Sequence, residues 1–183
     1  MNQKTKSSKK PSAKKASAGS ASVKKVPVTK ASVKKSITVK KSAAGVKKGG
    51  FNIQEVNFQV DGLKCAGKLY LPSGVKKPPV IIMGNGIGLE MDFGLPVFAE
   101  EFAKNGYAVF LFDYRYYGKS GGEPRHLFFP GRQLKDWAAA IEFVRTFDRV
   151  DVNRICIWGY SFSGGYVLAT AASKALLKLA SLV

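Results

Sequence analysis

The sequence has one histidine and two cysteines among its 183 residues. So few Cys and His leave no disulfide framework and no cluster with metal-ligand spacing, so neither a metal nor another cofactor is expected. Cys65 and Cys156 stand singly in apolar runs and are expected as buried, reduced thiols. No apolar run approaches membrane-spanning length and no secretory signal is evident, so no membrane contact is expected. The location expected is intracellular, cytoplasmic or nuclear in preference to organellar.

Acidic and aromatic side chains are missing altogether from residues 1–50, which carry fifteen Lys and no Arg. Such a segment buries too little apolar surface to offset its ordering entropy, and its like charges repel one another. It is expected as a disordered tail, distinct from a folded part over residues 51–183. Fifteen of the eighteen net positive charges belong to the tail, so basicity says little about the folded part. Within the tail, Ala21-Ser22-Val23-Lys24-Lys25 returns as Ala31-Ser32-Val33-Lys34-Lys35, which is low complexity and not a solenoid repeat. Three roles remain open for residues 1–50: a solvated extension, non-specific polyanion or nucleic-acid contact through counterion release (or a nuclear address), and a transit peptide.

What the rest contains is strand and helix in alternation. Val56, Phe58 and Val60 alternate with polar residues, Asp61-Gly62 supplies a tight turn, and residues 64–71 return as a hairpin partner. Val80-Ile81-Ile82-Met83 is apolar on both faces, as a central parallel strand requires. Leu95, Phe98, Ala99, Phe102 and Ala103 then recur at helical spacing, with Pro96 in the first turn and Asn105-Gly106 as a stop. A second buried strand spans 107–112 and ends at Asp113. After a Gly-rich, aromatic loop from Tyr114 to Pro130, Leu134, Trp137, Ala138, Ile141 and Val144 mark an amphipathic helix. Residues 154–158 read as a third buried strand, and a helix runs from Phe162 through Leu179 with Tyr166, Ala169, Ala172 and Leu176 on one stripe. The fold expected is α/β, a mostly parallel sheet behind an antiparallel hairpin.

Chemistry is carried by residues 154–165, Arg-Ile-Cys-Ile-Trp-Gly-Tyr-Ser-Phe-Ser-Gly-Gly. This is the form of a nucleophile elbow, a strand turning sharply into a helix with Ser161 at the apex. Only small residues two positions to either side let such a turn close, and here they are Gly159 and Ser163. The common form has glycine where this chain has Ser163. The helix beginning at the turn points unpaired N–H groups to where negative charge develops in acyl transfer.

With that motif in place, residues 54–173 resemble the α/β-hydrolase family, particularly its dienelactone-hydrolase-like and serine-aminopeptidase-like esterases. The resemblance rests on five stretches in order: Leu69-Tyr70-Leu71-Pro72; Met83-Gly84-Asn85-Gly86; Phe112-Asp113-Tyr114-Arg115 with Gly118-Lys119-Ser120; Asp151 to Ile155; and the elbow. It implies a serine hydrolase acting on a small-molecule acyl substrate, with Ser161 as nucleophile. The backbone N–H groups of Phe162 and Ile87 would form the oxyanion hole. Many relatives begin the second stretch's loop with His-Gly, and Asn85 stands at the His position here.

The family's order is Ser, then Asp or Glu, then His, whereas none of the twenty-two residues after Ser161 is Asp, Glu or His. The expectation is therefore an α/β-hydrolase domain truncated after the nucleophile helix, with the triad acid and base lacking. His126 lies upstream and reads as a loop residue, Asp113 as a loop anchor, and Tyr114, Tyr116 and Tyr117 as packing at the site rim. A second function stays open: a catalytically inactive binding module with a polyanion-binding tail, its third strand left as an exposed apolar edge. A dinucleotide-binding unit at Gly84-Asn85-Gly86-Ile87-Gly88 is set aside, because the sixth position of that fingerprint is Leu89 and the helix starts late.

Overall fold

A computed structural model describes residues 50–173 of the chain. Residues 1–49 and 174–183, and with them the expected tail and the expected helical positions of Leu176 and Leu179, lie outside the described residues. The elements are β1 (Phe51–Val60), β2 (Leu63–Pro72), β3 (Pro79–Gly84), α1 (Leu95–Lys104), β4 (Ala108–Phe112), α2 (Pro130–Val144), β5 (Asp151–Gly159) and α3 (Phe162–Ala172). Among the described residues five strands form one mixed sheet in the order β1-β2-β4-β3-β5.

The hairpin forms because Asp61 and Gly62 both take positive φ, 47° and 81°, the backbone of a two-residue turn whose twist matches the strands it joins. That turn sets Val60 opposite Leu63 and Phe58 opposite Cys65. Val56, Phe58 and Val60 consequently face the core while Glu55 and Gln59 face out. β2 is antiparallel to β4, and β3 is parallel to both β4 and β5.

β3 and β4 are buried on both faces, and alternate residues feed two separate cores. Val80, Ile82, Phe110 and Phe112 join Trp137 and Ile141 of α2 and Tyr166 of α3 on one side. Ile81, Met83, Val109 and Leu111 join Leu95, Ala99 and Ala103 of α1 on the other. Phe58 stacks on Phe143 at 5.3 Å within the first core. Each ring so buried contributes roughly 1.5–3 kcal/mol relative to exposure.

This order creates a switch point. From β3 the chain passes to α1 on one face, whereas from the adjacent β5 it passes to α3 on the other. The carboxyl ends of β3 and β5 therefore open a crevice between diverging loops, the place where open α/β sheets bind ligands.

Two expectations are corrected. Among the described residues β5 is an edge strand paired with β3 alone, and of residues 154–158 just Ile155 is buried, so Cys156 is exposed instead of buried. The inward stripe of α3 is Ser163, Tyr166 and Thr170, while Ala169 and Ala172 are exposed, because the first turn is anchored by a buried hydroxyl and not by alanines. Among the described residues no helix is long and apolar enough to cross a membrane.

Candidate active site

Ser161 stands between β5 and α3 at φ 53° and ψ −122°, a conformation that side-chain-bearing residues rarely hold. Strain of this kind costs about 1–3 kcal/mol and persists only where the surroundings enforce it. Enforcement is visible on both sides of the turn. The Ser163 N–H donates to the Tyr160 carbonyl at 3.1 Å and the Gly164 N–H to the Ser161 carbonyl at 2.9 Å. Before the turn, Gly159 packs on the Ser163 backbone, and a β-carbon there would stand 2.7 Å from the Gly164 nitrogen. Any larger residue at 159 would force the turn open.

Across the crevice lies the loop after β3. A β-carbon on Gly86 would stand 3.1 Å from Ser161 Cβ and 3.4 Å from its Oγ, so this loop and the serine are in close contact. Asn85, almost fully buried, holds the loop's shape. Its Nδ2 donates to the Glu90 carbonyl at 2.8 Å and the Phe93 carbonyl at 2.7 Å, and its Oδ1 accepts from the Gly86 N–H at 2.9 Å. Asp113 pins the far end: its carboxylate accepts from the Met91 N–H at 2.6 Å and from the Lys119 N–H at 2.9 Å. Burial pushes the Asp113 carboxyl above its usual range, with those two N–H groups pulling the other way.

Two backbone donors at the crevice are unspent. Among the described residues no hydrogen bond takes up the N–H of Phe162, at the first turn of α3, or that of Ile87, one residue beyond Gly86. Around them the surface is apolar, with Ile87, Phe93, Tyr160 and Phe162 all exposed. Phe128 from the loop before α2 meets the Phe162 ring edge-on at 5.4 Å.

Beneath Ser161 lies a buried polar chain. Trp137 Nε1–H donates to the Tyr114 hydroxyl at 2.8 Å, which lies 2.5 Å from Ser163 Oγ, and Ser163 Oγ donates to the Asn85 backbone carbonyl. Gly84 makes room for it, since a β-carbon there would meet the Trp137 ring at 2.5 Å and the Tyr114 hydroxyl at 2.9 Å. Tyr114, Tyr116 and Tyr117 are all buried, Tyr114 within this polar chain, Tyr116 bonded to Arg132 and Tyr117 against His126. The sequence signal for this chain is Trp137 on the buried stripe of α2, because a buried indole N–H needs an acceptor.

A second buried set fixes the loop after β4. Arg115 Nε donates to Asp136 Oδ1 at 2.5 Å, one Nη to Asp61 at 2.9 Å, and the other to the Arg132 carbonyl at 3.1 Å. Burial works against the Arg115 charge, and the Asp136 and Asp61 carboxylates overcome it and hold the guanidinium above its ordinary value. Burial pushes the Asp136 carboxyl up to about 6, opposed by Arg115.

His126 is not part of this constellation. It is exposed, its ring meets Tyr117 edge-on at 5.6 Å, and its backbone N–H donates to the Tyr116 carbonyl at 2.8 Å. Among the described residues no three His, Cys, Asp or Glu side chains form a group that could hold a metal ion.

The family model described as alpha/beta hydrolase fold matches residues 79–183. The chain is 47% identical over 119 residues to the quorum-quenching protein AidA of Acinetobacter baumannii, a match covering 65% of this chain and 39% of that protein. It is 39% identical over 126 residues to the thiohydrolase aneE of Aspergillus aculeatus, covering 68% of this chain and 39% of that protein. Among solved structures, the α/β hydrolase GrgF from Penicillium sp. sh18 superposes with a TM-score of 0.64 at 31% identity, over 68% of this chain and 43% of that one. The chain therefore spans about two fifths of the length of the curated relatives it matches.

Proposed function

The chain belongs to the α/β-hydrolase fold family, and from that premise we propose that it carries the nucleophile and oxyanion-hole half of a serine hydrolase acting on a carboxylic ester or related acyl bond. The observation that supports this most directly is the strained Ser161 facing Gly86 across the crevice, with the unspent N–H groups of Phe162 and Ile87 on its two sides. In this reading Ser161 Oγ attacks the acyl carbon, and the carbonyl oxygen gathers negative charge that the two N–H groups stabilise without having to reorganise. The bond to the alcohol or thiol leaving group then breaks, that group departs with the proton the serine gives up, and water later cleaves the acyl-serine ester to release the acid and restore the hydroxyl. The exposed apolar rim of Ile87, Phe93 and Phe162 suits a hydrophobic acyl group. A relative named a thiohydrolase is consistent with acyl chemistry of this kind.

Serine is a weak nucleophile at its own pKa and needs a base oriented by a third group. Among the described residues His126 packs against Tyr117 and not beside Ser161, which favours a second reading, a hydrolase-like module that binds an acyl compound without turning it over. The two are separated by incubating the purified protein with an activated small ester and following both product release and acylation of the Ser161 peptide by mass spectrometry. The hydrolase reading expects release and acylation that disappear in Ser161→Ala. Equal background rates for the two proteins reject serine chemistry and leave the binding module.

A further inference from the structure

The serine at position 163 stands where the elbow motif commonly has glycine, and its side chain is fully buried. We infer that Ser163 and Tyr114 are positioning residues that set the spacing of the two oxyanion-hole donors, an inference resting on the nucleophile reading of Ser161.

Counting protons fixes the direction of these bonds. The Asn85 carbonyl can only accept, so Ser163 must spend its one hydroxyl proton on it. The contact between Tyr114 and Ser163 then requires the phenol to donate. Tyr114 in turn accepts from the Trp137 indole, which can only donate. The chain of bonds accordingly runs one way, from Trp137 through Tyr114 and Ser163 to Asn85. Each hydroxyl accepts once and donates once, an arrangement in which each bond polarises the next.

The consequence lies in where the chain ends. Asn85 is two residues before Ile87, and Ser163 is one residue after Phe162. Their hydrogen bond thus joins the backbone next to one donor to the backbone next to the other. The Asn85 side chain meanwhile holds Gly86, Glu90 and Phe93. The near end of the loop, where Gly86 and Ile87 lie, therefore takes its position relative to α3 from a residue clamped at its carbonyl by Ser163, while Asp113 pins the far end at Met91. A glycine at 163 has no hydroxyl to do this. Misplacing a catalytic group by about 1 Å costs on the order of a hundredfold in rate, so a small slackening of this bond is measurable.

The test compares wild type with Ser163→Ala, Tyr114→Phe and the double variant by amide hydrogen exchange and by Ser161 acylation with p-nitrophenyl acetate. Exchange in residues 86–93 is expected to quicken about tenfold or more in each single variant, with the β1–β2 hairpin unchanged. The maximal acylation rate is expected to fall about tenfold, with the half-saturating ester concentration held within about twofold, and the double variant no worse than the poorer single. Unchanged loop exchange in both variants would overturn the clamp. Exchange rising everywhere, hairpin included, would mean plain destabilisation and would overturn it too. A loosened loop with undiminished acylation would overturn the positioning role. Wild-type protein with no Ser161-dependent acylation would remove the nucleophile reading and the positioning role together; loop exchange, which needs no chemistry, tells that outcome apart from failure of the clamp.

Discussion

Gly86 faces Ser161 so closely that a β-carbon at position 86 would stand 3.1 Å from Ser161 Cβ and 3.4 Å from its hydroxyl oxygen. The φ of Gly86 is not positive, so alanine fits its backbone without strain, and the only penalty is the contact itself. Gly86→Ala is therefore expected to leave the denaturation midpoint nearly unchanged while slowing Ser161 acylation about tenfold, since the loop must retreat by a few tenths of an ångström and carry Ile87 with it. Acylation at the wild-type rate would show that the loop is not held where the oxyanion forms.

The buried Arg115–Asp136 pair leads to a prediction about stability. Both side chains are nearly inaccessible, and Arg115 also holds Asp61 at the hairpin turn and the Arg132 carbonyl. Removing one partner leaves an uncompensated buried charge, which costs about 3–5 kcal/mol, whereas replacing both by apolar side chains costs much less. Arg115→Met alone is expected to lower the urea midpoint sharply, because it strands Asp136. Asp136→Leu is expected to be milder, since Asp61 still pairs the guanidinium, and the double replacement is expected to recover part of the loss. Equal, small effects from all three would mean that water reaches the pair.

Much of this was written in local patterns. The alternation of Val56, Phe58 and Val60 and the Asp61-Gly62 turn specify the hairpin, and the two-faced apolar runs of β3 and β4 specify a covered parallel sheet. Gly159-x-Ser161 specifies the bend, because only a side-chain-free residue clears the backbone of the following turn. Patterns of this kind carry no information about partners distant in sequence. Tyr114 and Ser163 are 49 residues apart, and Asn85 and Ser163 are 78. Their meeting depends on β3 lying between β4 and β5, which no single segment encodes. The same limit explains Cys156 and Ala169. An apolar run shows that a strand or helix wants cover, and only the strand order shows which faces receive it.

The two thiols turn that distinction into a measurement. Cys65 is fully buried, and burial pushes its thiol far above the ordinary range, so at neutral pH it offers neither access nor thiolate. Cys156 lies on β5 and is exposed, although partial burial raises its thiol as well. A thiol reagent such as a dithiobis-nitrobenzoate is expected to titrate one group per folded chain and two after denaturation. Because the Cys156 thiol is shifted upward, its thiolate fraction at neutral pH is below that of a free cysteine, and labelling should quicken steadily as the pH is raised through 8 and 9. Cys156→Ser should abolish the native-state reaction, and Cys65→Ser should leave it intact. Slow labelling of Cys156 at high protein concentration, relieved on dilution, would mean that a second chain covers β5.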